Sequence, residues 1–168
     1  KEGPKVIFPD KTHGRGTDFE GHEFFEAASI RKIDDTYYFI YSSVNGHELC
    51  YATSKNPIGD FKYGGTIVSN ADIFLNGRTD EDALNYSANN HGSVIEINGQ
   101  WYVFYHRQTN KHQFSRQGCA EPITIEKDGS INQVEMTSSG LNNGPLHGHG
   151  EYEARIACNL MSKQGAKR

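Results

Sequence analysis

The fold class follows from residues 23–41, Glu-Phe-Phe-Glu-Ala-Ala-Ser-Ile-Arg-Lys-Ile-Asp-Asp-Thr-Tyr-Tyr-Phe-Ile-Tyr, in which a carboxylate precedes two apolar segments joined by a polar turn. Residues 29–41 of this stretch align without a gap with residues 93–105, Ser-Val-Ile-Glu-Ile-Asn-Gly-Gln-Trp-Tyr-Val-Phe-Tyr. Asn-Gly between alternating apolar residues is the strongest short-range signal for a β-hairpin, and Asp34-Asp35 takes the same place in the first copy. A hairpin repeated at this spacing predicts an all-β array such as the blades of a propeller.

The composition fits one β-rich domain. The chain has 168 residues, of which 11% are aromatic, and it contains 18 glycines. Aromatic residues favour strands, and glycines favour the turns that join them. The formal net charge of −4 comes without a basic run, which argues against a nucleic-acid partner. No stretch approaches the roughly 20 apolar residues that cross a bilayer, so no membrane contact is expected.

The order of apolar segments and turns predicts two blade-like units, at about residues 20–65 and 89–136. The first unit is predicted to have strands at residues 28–33, 37–43, 48–53 and 61–64. The second is predicted to have strands at residues 92–97, 101–106, 116–126 and 131–136. Four antiparallel strands in about 40 residues make one propeller blade.

The flanking segments are predicted to be loops with a strand at each end, and residues 1–168 are assigned to one partial propeller domain. Residues 5–8 form the predicted first strand, and residues 66–88 and 137–150 are predicted loops because they are polar or rich in Gly and Asn. Residues 150–160 form a predicted closing segment. Two blades alone leave unpaired sheet edges, which indicates part of a larger propeller or a swapped assembly.

The cysteines point to no cross-link. Cys50, Cys119 and Cys158 are scattered, without a Cys-x-x-Cys pair. An odd, scattered set gives neither a disulfide framework nor a zinc signature. We therefore predict that they are reduced residues of the core.

Several segments resemble glycoside hydrolase family 43. Phe-Glu-Ala-Ala-Ser-Ile-Arg-Lys-Ile at residues 25–33, followed by Tyr-Tyr-Phe at 37–39, is similar to the strand that carries the general acid in that family. The segments similar to the closing portion of the family are Asn-His-Gly-Ser-Val at 90–94, Trp-Tyr-Val-Phe-Tyr-His at 101–106 and Ala-Arg-Ile-Ala-Cys-Asn-Leu at 154–160. The resemblance covers most of residues 19–160.

The resemblance implies a five-bladed propeller that cleaves arabinofuranosides or xylosides with inversion. Family members use an aspartate base on an early blade, a second aspartate that tunes the acid, and a glutamate acid on a later blade. By resemblance Glu26 is that acid, and the two units here are the fourth and fifth blades. Asp10 and Asp18 do not match the family's base motif, so the base is expected upstream and this chain is expected to be the C-terminal part of the enzyme.

The neighbours of Glu26 also suit a residue that holds a proton. Two phenylalanines precede it and two alanines follow it, and apolar surroundings disfavour the charged carboxylate. The alternative is a carboxylate at a strand edge, paired with Arg31 or Lys32. Glu20 and Glu23 are the other carboxylates nearby. Both are predicted to lie in a loop, and Glu23 keeps open a role in the site.

His91 and Arg116 are predicted to bind substrate. The resemblance places a histidine at the propeller axis, where it touches the sugar, a calcium ion or the water shell of that ion. Calcium can therefore bind at His91, although no cofactor is required. From the residues alone, a histidine beside a glycine is also typical of a structural role, and calcium prefers six to eight oxygen ligands.

Four other residues are weaker candidates. Arg107 is a second arginine for the mouth of the site. His147 and His149 offer two imidazoles to a transition metal, but without a third ligand at fixed spacing they are predicted to be exposed. Trp101 is predicted to pack between blades rather than to stack on a sugar.

Three functions remain open from the sequence. The first is part of an inverting glycosidase that cleaves α-L-arabinofuranosidic or β-xylosidic bonds in plant polysaccharide, with the base supplied by upstream blades or by a second copy. The alternative is a non-catalytic carbohydrate-binding propeller, in which Glu26 and His91 only bind sugar hydroxyls. The third is a β-structured fragment without activity of its own. Because such polymers are met outside the cytoplasm, a secreted or periplasmic protein is expected.

Overall fold

The computed structural model describes residues 3–83, 86–109, 112, 114–142 and 147–152. The strands are β1 Phe24–Ile33, β2 Thr36–Ser43, β3 Glu48–Ser54, β4 Lys62–Ser69, β5 Gly92–Ile97, β6 Gln100–Gln108 and β7 Arg116–Ile123. Within the described residues they form two antiparallel sheets, with the order β1-β2-β3-β4 in the first and β5-β6-β7 in the second. The predicted all-β class is confirmed.

Both predicted hairpins form. Ile33 pairs with Thr36, and Ile97 pairs with Gln100, so each turn has two residues. The first turn residue has a φ of 49° in one hairpin and 52° in the other. Positive φ at this position matches the right-handed twist of the flanking strands, which is why Asp and Asn are suitable there. The two copies in the sequence therefore share one register.

The fourth strand of the first sheet is longer than predicted. The predicted strand ends at Gly64, yet β4 continues to Ser69. A Cβ atom at Gly64 would lie 2.2 Å from the ring of Tyr51. The missing side chain thus lets the strand pass under a buried aromatic ring, and glycine marks a close approach here rather than a strand end.

The strand predicted at residues 131–136 is wrong. Residues 131–136 make single bridges instead, and Val134 pairs in parallel with Val68 of the first sheet. The backbone N–H of Met136 donates to the Asp72 carboxylate at 2.7 Å. These contacts direct the segment to the edge of the first sheet, so the described part of the second sheet has three strands.

The strand predicted at residues 5–8 does not form either. Phe8 is buried, and its ring centroid lies 4.4 Å from that of Phe39 in a cluster of aromatic side chains. This segment is thus held by its side chains instead of by a neighbouring strand. The nearest backbone bridge pairs Asp10 with Phe24. The predicted closing segment at residues 150–160 lies outside the described residues from residue 153 onward.

The segment after β4 is less exposed than predicted. It contains three short 3-10 turns, at Asn70–Asp72, Leu75–Gly77 and Asp80–Asp82. Asn70 is fully buried, and its side-chain amide donates to the carbonyl groups of Ala88 and Asn89. The beginning of this predicted loop therefore belongs to the interior.

The main core fills the space between the two sheets. Its buried side chains are Tyr38, Ile40, Leu49, Tyr51, Ile67, Val68, Val94, Val103, Tyr105, Cys119, Ile123 and Ile131. Each fully buried large apolar side chain contributes about 1.5–3 kcal/mol to folding. Trp101 packs against this cluster, as predicted. Because both sheets supply the cluster, it fixes how β1 and β5 lie relative to each other.

Two further predictions concern cysteines and membranes. Cys50 and Cys119 are buried free thiols, as predicted, and Cys158 lies outside the described residues. No helix in the described part of the chain has the length and apolar character needed to cross a membrane.

Candidate functional site

Glu26 lies in an irregular part of β1. The pairing with β2 shifts register between Phe24 and Glu26 and again between Glu26 and Ser29. Ala27 has a φ of 61°, in the left-handed region. A non-glycine residue there costs about 1–2 kcal/mol, and a β-bulge changes the direction of the side chains beside it. The strand is thus bent at the predicted acid.

The carboxyl group of Glu26 reaches across to the second unit. Its Oε1 lies 2.7 Å from Nε2 of His91, which immediately precedes β5. The Glu26 side chain is 42% exposed and that of His91 is 33% exposed. Arg31 donates to the carbonyl of Ile30, and the Lys32 amino group lies 5.7 Å from the centroid of the Tyr37 ring. Glu26 is therefore paired with His91, and not with either basic residue proposed as an alternative.

A second contact joins the same two strands. The Oγ atoms of Ser29 in β1 and Ser93 in β5 are 2.8 Å apart. These serines occupy equivalent places in the two aligned copies of the sequence. Like positions of the two repeats meet where β1 and β5 approach each other, and the candidate site lies at this junction.

His106 lies behind His91. The two imidazole rings are 5.2 Å apart with an interplanar angle of 68°, an edge-to-face arrangement. Nη1 of Arg116 donates to Nε2 of His106 over 3.5 Å. Burial lowers the pKa of His106 to about 4, and the neighbouring Arg116 and His91 act in the same direction. The ring is therefore neutral near neutral pH.

The two candidate arginines differ in position. Arg116 is exposed at the start of β7 and is in contact with His106, so it lies near the Glu26–His91 pair. Arg107 is buried, and its guanidinium donates to Oε1 of Gln117 over 3.3 Å. The structure therefore brings Arg116, and not Arg107, to the candidate site.

The other carboxylates before β1 are engaged elsewhere. Glu23 is buried, and a Cβ atom at Gly14 would lie 2.0 Å from its Cγ, so its side chain fills the space beside that glycine. Oε2 of Glu20 accepts a hydrogen bond from the backbone N–H of Gly16. Both side chains hold the segment that leads to β1. Among the described residues, His91 is the side-chain hydrogen-bond partner of Glu26.

The two aspartates before Glu26 have structural partners. Oδ1 of Asp10 accepts a hydrogen bond from the backbone N–H of Thr12. Oδ2 of Asp18 accepts one from the backbone N–H of Tyr63 in β4. Both carboxylates thus hold the backbone of the segments that they contact, and the location of the base stays a prediction.

A buried charged network that the sequence did not reveal holds the start of β1. Glu48 is fully buried and accepts hydrogen bonds from His22, Ser43, Asn45 and Thr66. Burial alone would raise the pKa of Glu48, but the hydrogen bonds from His22, Ser43 and Asn45 lower it to about 2. The hydrogen bond to Glu48 raises the pKa of His22 in turn. His22 and Glu48 thus form an ion pair, four residues before Glu26.

This network fixes the backbone as well. Nδ2 of Asn45 also donates to the carbonyl of Gly21, and the Tyr41 hydroxyl donates to the carbonyl of His22. The backbone N–H of Val44 donates to the carbonyl of Glu23. The chain is thereby tied down immediately before it enters β1 and reaches Glu26.

The comparisons with known proteins agree with this arrangement. The sequence pattern of glycosyl hydrolases family 43 matches residues 2–131. The chain belongs to glycosyl hydrolase family 43. A xylosidase/arabinosidase of Thermoclostridium stercorarium is 62% identical to this family 43 chain over 161 residues, which are 95% of this chain and 34% of that protein.

Solved family 43 structures give the same result. RS223 β-xylosidase matches with a TM-score of 0.61 at 27% identity, over 79% of this chain and 38% of that one. A β-xylosidase/α-arabinofuranosidase from a compost microbial metagenome, solved with xylotriose in a calcium-free form, matches with a TM-score of 0.55 at 33% identity, over 68% of this chain and 31% of that one. This family 43 chain spans about a third of the length of these relatives. Its two sheets match part of their five-bladed propeller, as predicted.

The described residues of this family 43 chain do not form a calcium cage. Calcium takes six to eight oxygen ligands. At His91 the carboxylate in contact is that of Glu26, and its Oε1 is already bonded to the imidazole. We therefore assign no step of the chemistry to calcium.

One group of possible metal ligands occurs elsewhere in the described part of the chain, namely His22, Glu48 and Cys50. The Glu48 oxygens already accept four hydrogen bonds. Burial raises the pKa of the Cys50 thiol well above its ordinary value, which keeps the sulfur protonated and a poor ligand. This group is a hydrogen-bonded part of the core. His147 and His149 are exposed, as predicted.

The His22–Glu48 pair predicts how stability depends on pH. The raised pKa of His22 gives stabilisation that is complete below about pH 6.5 and is lost as the pH rises through the folded-state pKa. The lowered pKa of Glu48 gives stabilisation that is present above its ordinary value of 4.5 and is lost as the pH falls toward about 2. The melting temperature should therefore fall from pH 6.5 to 8.5, and His22→Gln should flatten this fall. His13, which is exposed, supplies the control His13→Gln. An unchanged slope in His22→Gln would contradict the assignment.

A second prediction concerns the stability of the start of β5, where Gly92 lies. A Cβ atom there would lie 2.1 Å from the carbonyl oxygen of Phe104 and 2.9 Å from Leu49 Cδ2, so the backbone beside His91 must move. Gly92→Ala should lower the free energy of unfolding by about 1–3 kcal/mol in urea titrations. Gly118→Ala in β7 is the matched control, because a Cβ atom there meets nothing within 4 Å. Equal effects of the two substitutions would show that the close approach is not important.

Proposed function

We propose that this chain is part of an inverting glycosidase that cleaves α-L-arabinofuranosidic or β-xylosidic bonds in plant polysaccharide, and that Glu26 is its general acid. The observation that carries the proposal is the Glu26–His91 contact of 2.7 Å at the junction of the two repeats, with both side chains open to solvent. A buried pair would have no access to a sugar. This pair is accessible, and Glu26 lies at the bend of β1.

The chemistry assigned to Glu26 is proton donation. When the bond between the anomeric carbon and the glycosidic oxygen breaks, that oxygen gains negative charge, and a carboxylic acid within hydrogen-bond reach delivers a proton to it. The carboxylate that remains can recover a proton through the imidazole of His91, because the hydrogen bond connects the two groups. Arg116, which is held at His106, is assigned to substrate hydroxyl groups at the same mouth.

The base belongs to another part of the enzyme. An inverting mechanism needs a second carboxylate about 6.5–9.5 Å from the acid, with room for a water molecule between them. Asp10 and Asp18 accept hydrogen bonds from backbone N–H groups. Upstream blades, or a second copy of the chain, are therefore proposed to supply the base.

The substrate class is proposed from the relatives. One related structure contains xylotriose, and the 62% identical protein is a xylosidase/arabinosidase. A short oligosaccharide of xylose, or arabinose side chains on it, is accordingly proposed for this site. Since such polymers occur outside cells, we also propose a secreted or periplasmic location.

The test uses a hybrid protein. This chain replaces the matching 161-residue segment of the Thermoclostridium stercorarium relative, to which it is 62% identical. Hydrolysis of nitrophenyl α-L-arabinofuranoside and nitrophenyl β-D-xyloside is then measured for the hybrid and for the chain alone. Activity of the hybrid that is lost with Glu26→Ala supports the proposal.

Two other outcomes would overturn it. A folded hybrid that binds arabinoxylan without hydrolysing it would favour a carbohydrate-binding propeller. Activity that survives Glu26→Ala on an unactivated xylo-oligosaccharide would show that another residue donates the proton.

A further inference from the structure

We propose that His106 is a positioning residue that holds His91 against Glu26 and Arg116 at the mouth of the same site. This inference rests on the proposed function and adds to it a residue that does not touch the reacting atoms. Three observations support it: the register of β5 and β6, the edge-to-face contact of the two imidazole rings, and a buried nitrogen that has no partner in the described part of the chain.

The register places His106 beside His91. Gly92 pairs with Tyr105, so His91, one residue before, lies opposite His106, one residue after. The rings are 5.2 Å apart at an angle of 68°. Side chains directly opposite each other on antiparallel strands are in contact range. His106 thus limits the rotation of the His91 ring, whose Nε2 must point at Glu26 to make the 2.7 Å contact.

The same ring contacts Arg116. His106 pairs with Gly118, and Arg116 lies two residues along β7, in the diagonal position. Nη1 of Arg116 donates to Nε2 of His106 over 3.5 Å. A ring that accepts at Nε2 carries its proton at Nδ1, so His106 is in the neutral Nδ1–H tautomer. One neutral ring therefore contacts both side chains that are proposed to bind substrate.

The Nδ1 atom of His106 helps to decide whether this residue positions the site or only packs in the fold. This nitrogen is buried and has no hydrogen-bond partner among the residues that the structure describes. A buried N–H without a partner lowers stability, and an apolar ring of similar shape would avoid that penalty. A residue kept only for packing would be better as phenylalanine. The imidazole is therefore expected to matter for the arrangement of the site rather than for the stability of the fold.

The activity test compares two substitutions in the hybrid protein. His106→Phe keeps a ring but removes the acceptor for Arg116, and we expect kcat/KM to fall about tenfold or more while the melting temperature stays equal or rises. His106→Gln keeps an acceptor for Arg116. Compared with His106→Phe, we expect its KM to return toward that of the natural hybrid more than its kcat does. His112→Phe, an exposed histidine in the same β6–β7 hairpin, is the control and should leave both constants unchanged.

A second readout does not depend on catalysis. In proton NMR of this chain, the proton in the Glu26–His91 hydrogen bond is identified by its loss in Glu26→Ala, which removes the side chain that bonds to His91. We expect His106→Phe to shift or broaden this signal and His112→Phe to leave it unchanged. If the hybrid with the natural residues is inactive, the proposed function fails, yet the NMR signal still decides the role of His106. An unaltered signal, or a large loss of stability in His106→Phe, would overturn the inference.

Discussion

Glu26→Gln in the hybrid enzyme is expected to lower kcat by about 10²- to 10⁴-fold on a xylo-oligosaccharide, because an amide cannot deliver the proton that the leaving oxygen requires. The amide is nearly the same size as the carboxyl group and can still bond to His91, so binding should change little. Steady-state kinetics should therefore show a fall in kcat with a nearly constant KM.

The leaving group provides the internal check of this prediction. A dinitrophenyl glycoside leaves without assistance, so on that substrate the mutant should retain most of the parent's activity. Glu96→Gln, at an exposed position of β5, is the matched control and should behave as the parent on every substrate. An equal loss on good and poor leaving groups would mean that Glu26 binds the sugar instead of acting as its acid.

Glu48→Ala is expected to have the largest effect on stability. Glu48 is fully buried and accepts hydrogen bonds from four side chains, so its removal leaves several donors and the charge of His22 without a partner. Removing one member of a buried ion pair costs about 3–5 kcal/mol. Urea denaturation followed by tryptophan fluorescence would measure this through Trp101, which packs against the main core.

The matched control for Glu48 is Glu96→Ala. Glu96 is exposed on β5, and an exposed substitution is expected to change the free energy of unfolding by less than about 0.5 kcal/mol. If Glu48→Ala also cost less than about 1 kcal/mol, the network would contribute little, and another contact would have to hold the segment before β1.

The local features of the fold could be predicted from the sequence because they depend on neighbours along the chain. The Asn98-Gly99 turn and the Asp34-Asp35 turn each needed only two residues with suitable backbone preferences, and both hairpins form. The contact between Ser29 and Ser93 joins equivalent positions of the repeat, but the alignment of the two copies did not predict that they touch.

The errors have one common cause. At residues 131–136 the order of apolar segments and turns could not show which sheet the segment would join, and Val134 pairs with Val68 instead of extending the second sheet. At Gly64 the sequence showed a missing side chain but not the Tyr51 ring that lies over it. In both places the deciding partner is distant in the sequence.

Only part of the candidate site could be predicted, again because several contacts join residues that are distant in the sequence. Glu26, His91 and Arg116 were selected by resemblance, and the structure places them around one junction. The sequence gives no sign of the contact between His22 and Glu48, which are 26 residues apart, because isolated His and Glu residues are common. His106 was likewise seen only as the end of an aromatic strand. Its neighbours are His91, which immediately precedes β5, and Arg116, the first residue of β7, so they are distant in the sequence.

The Glu26–His91 contact has a consequence for how such a protein fails. Each of the two side chains comes from a different sheet, and the core between the sheets sets their separation. A slight displacement at that interface would separate Glu26 from His91 while every strand kept the hydrogen bonds to its neighbours. Activity would then depend on how the two repeats pack against each other, and not only on whether each repeat is folded. On heating, such an enzyme would lose its activity while far-UV circular dichroism still showed intact β-structure.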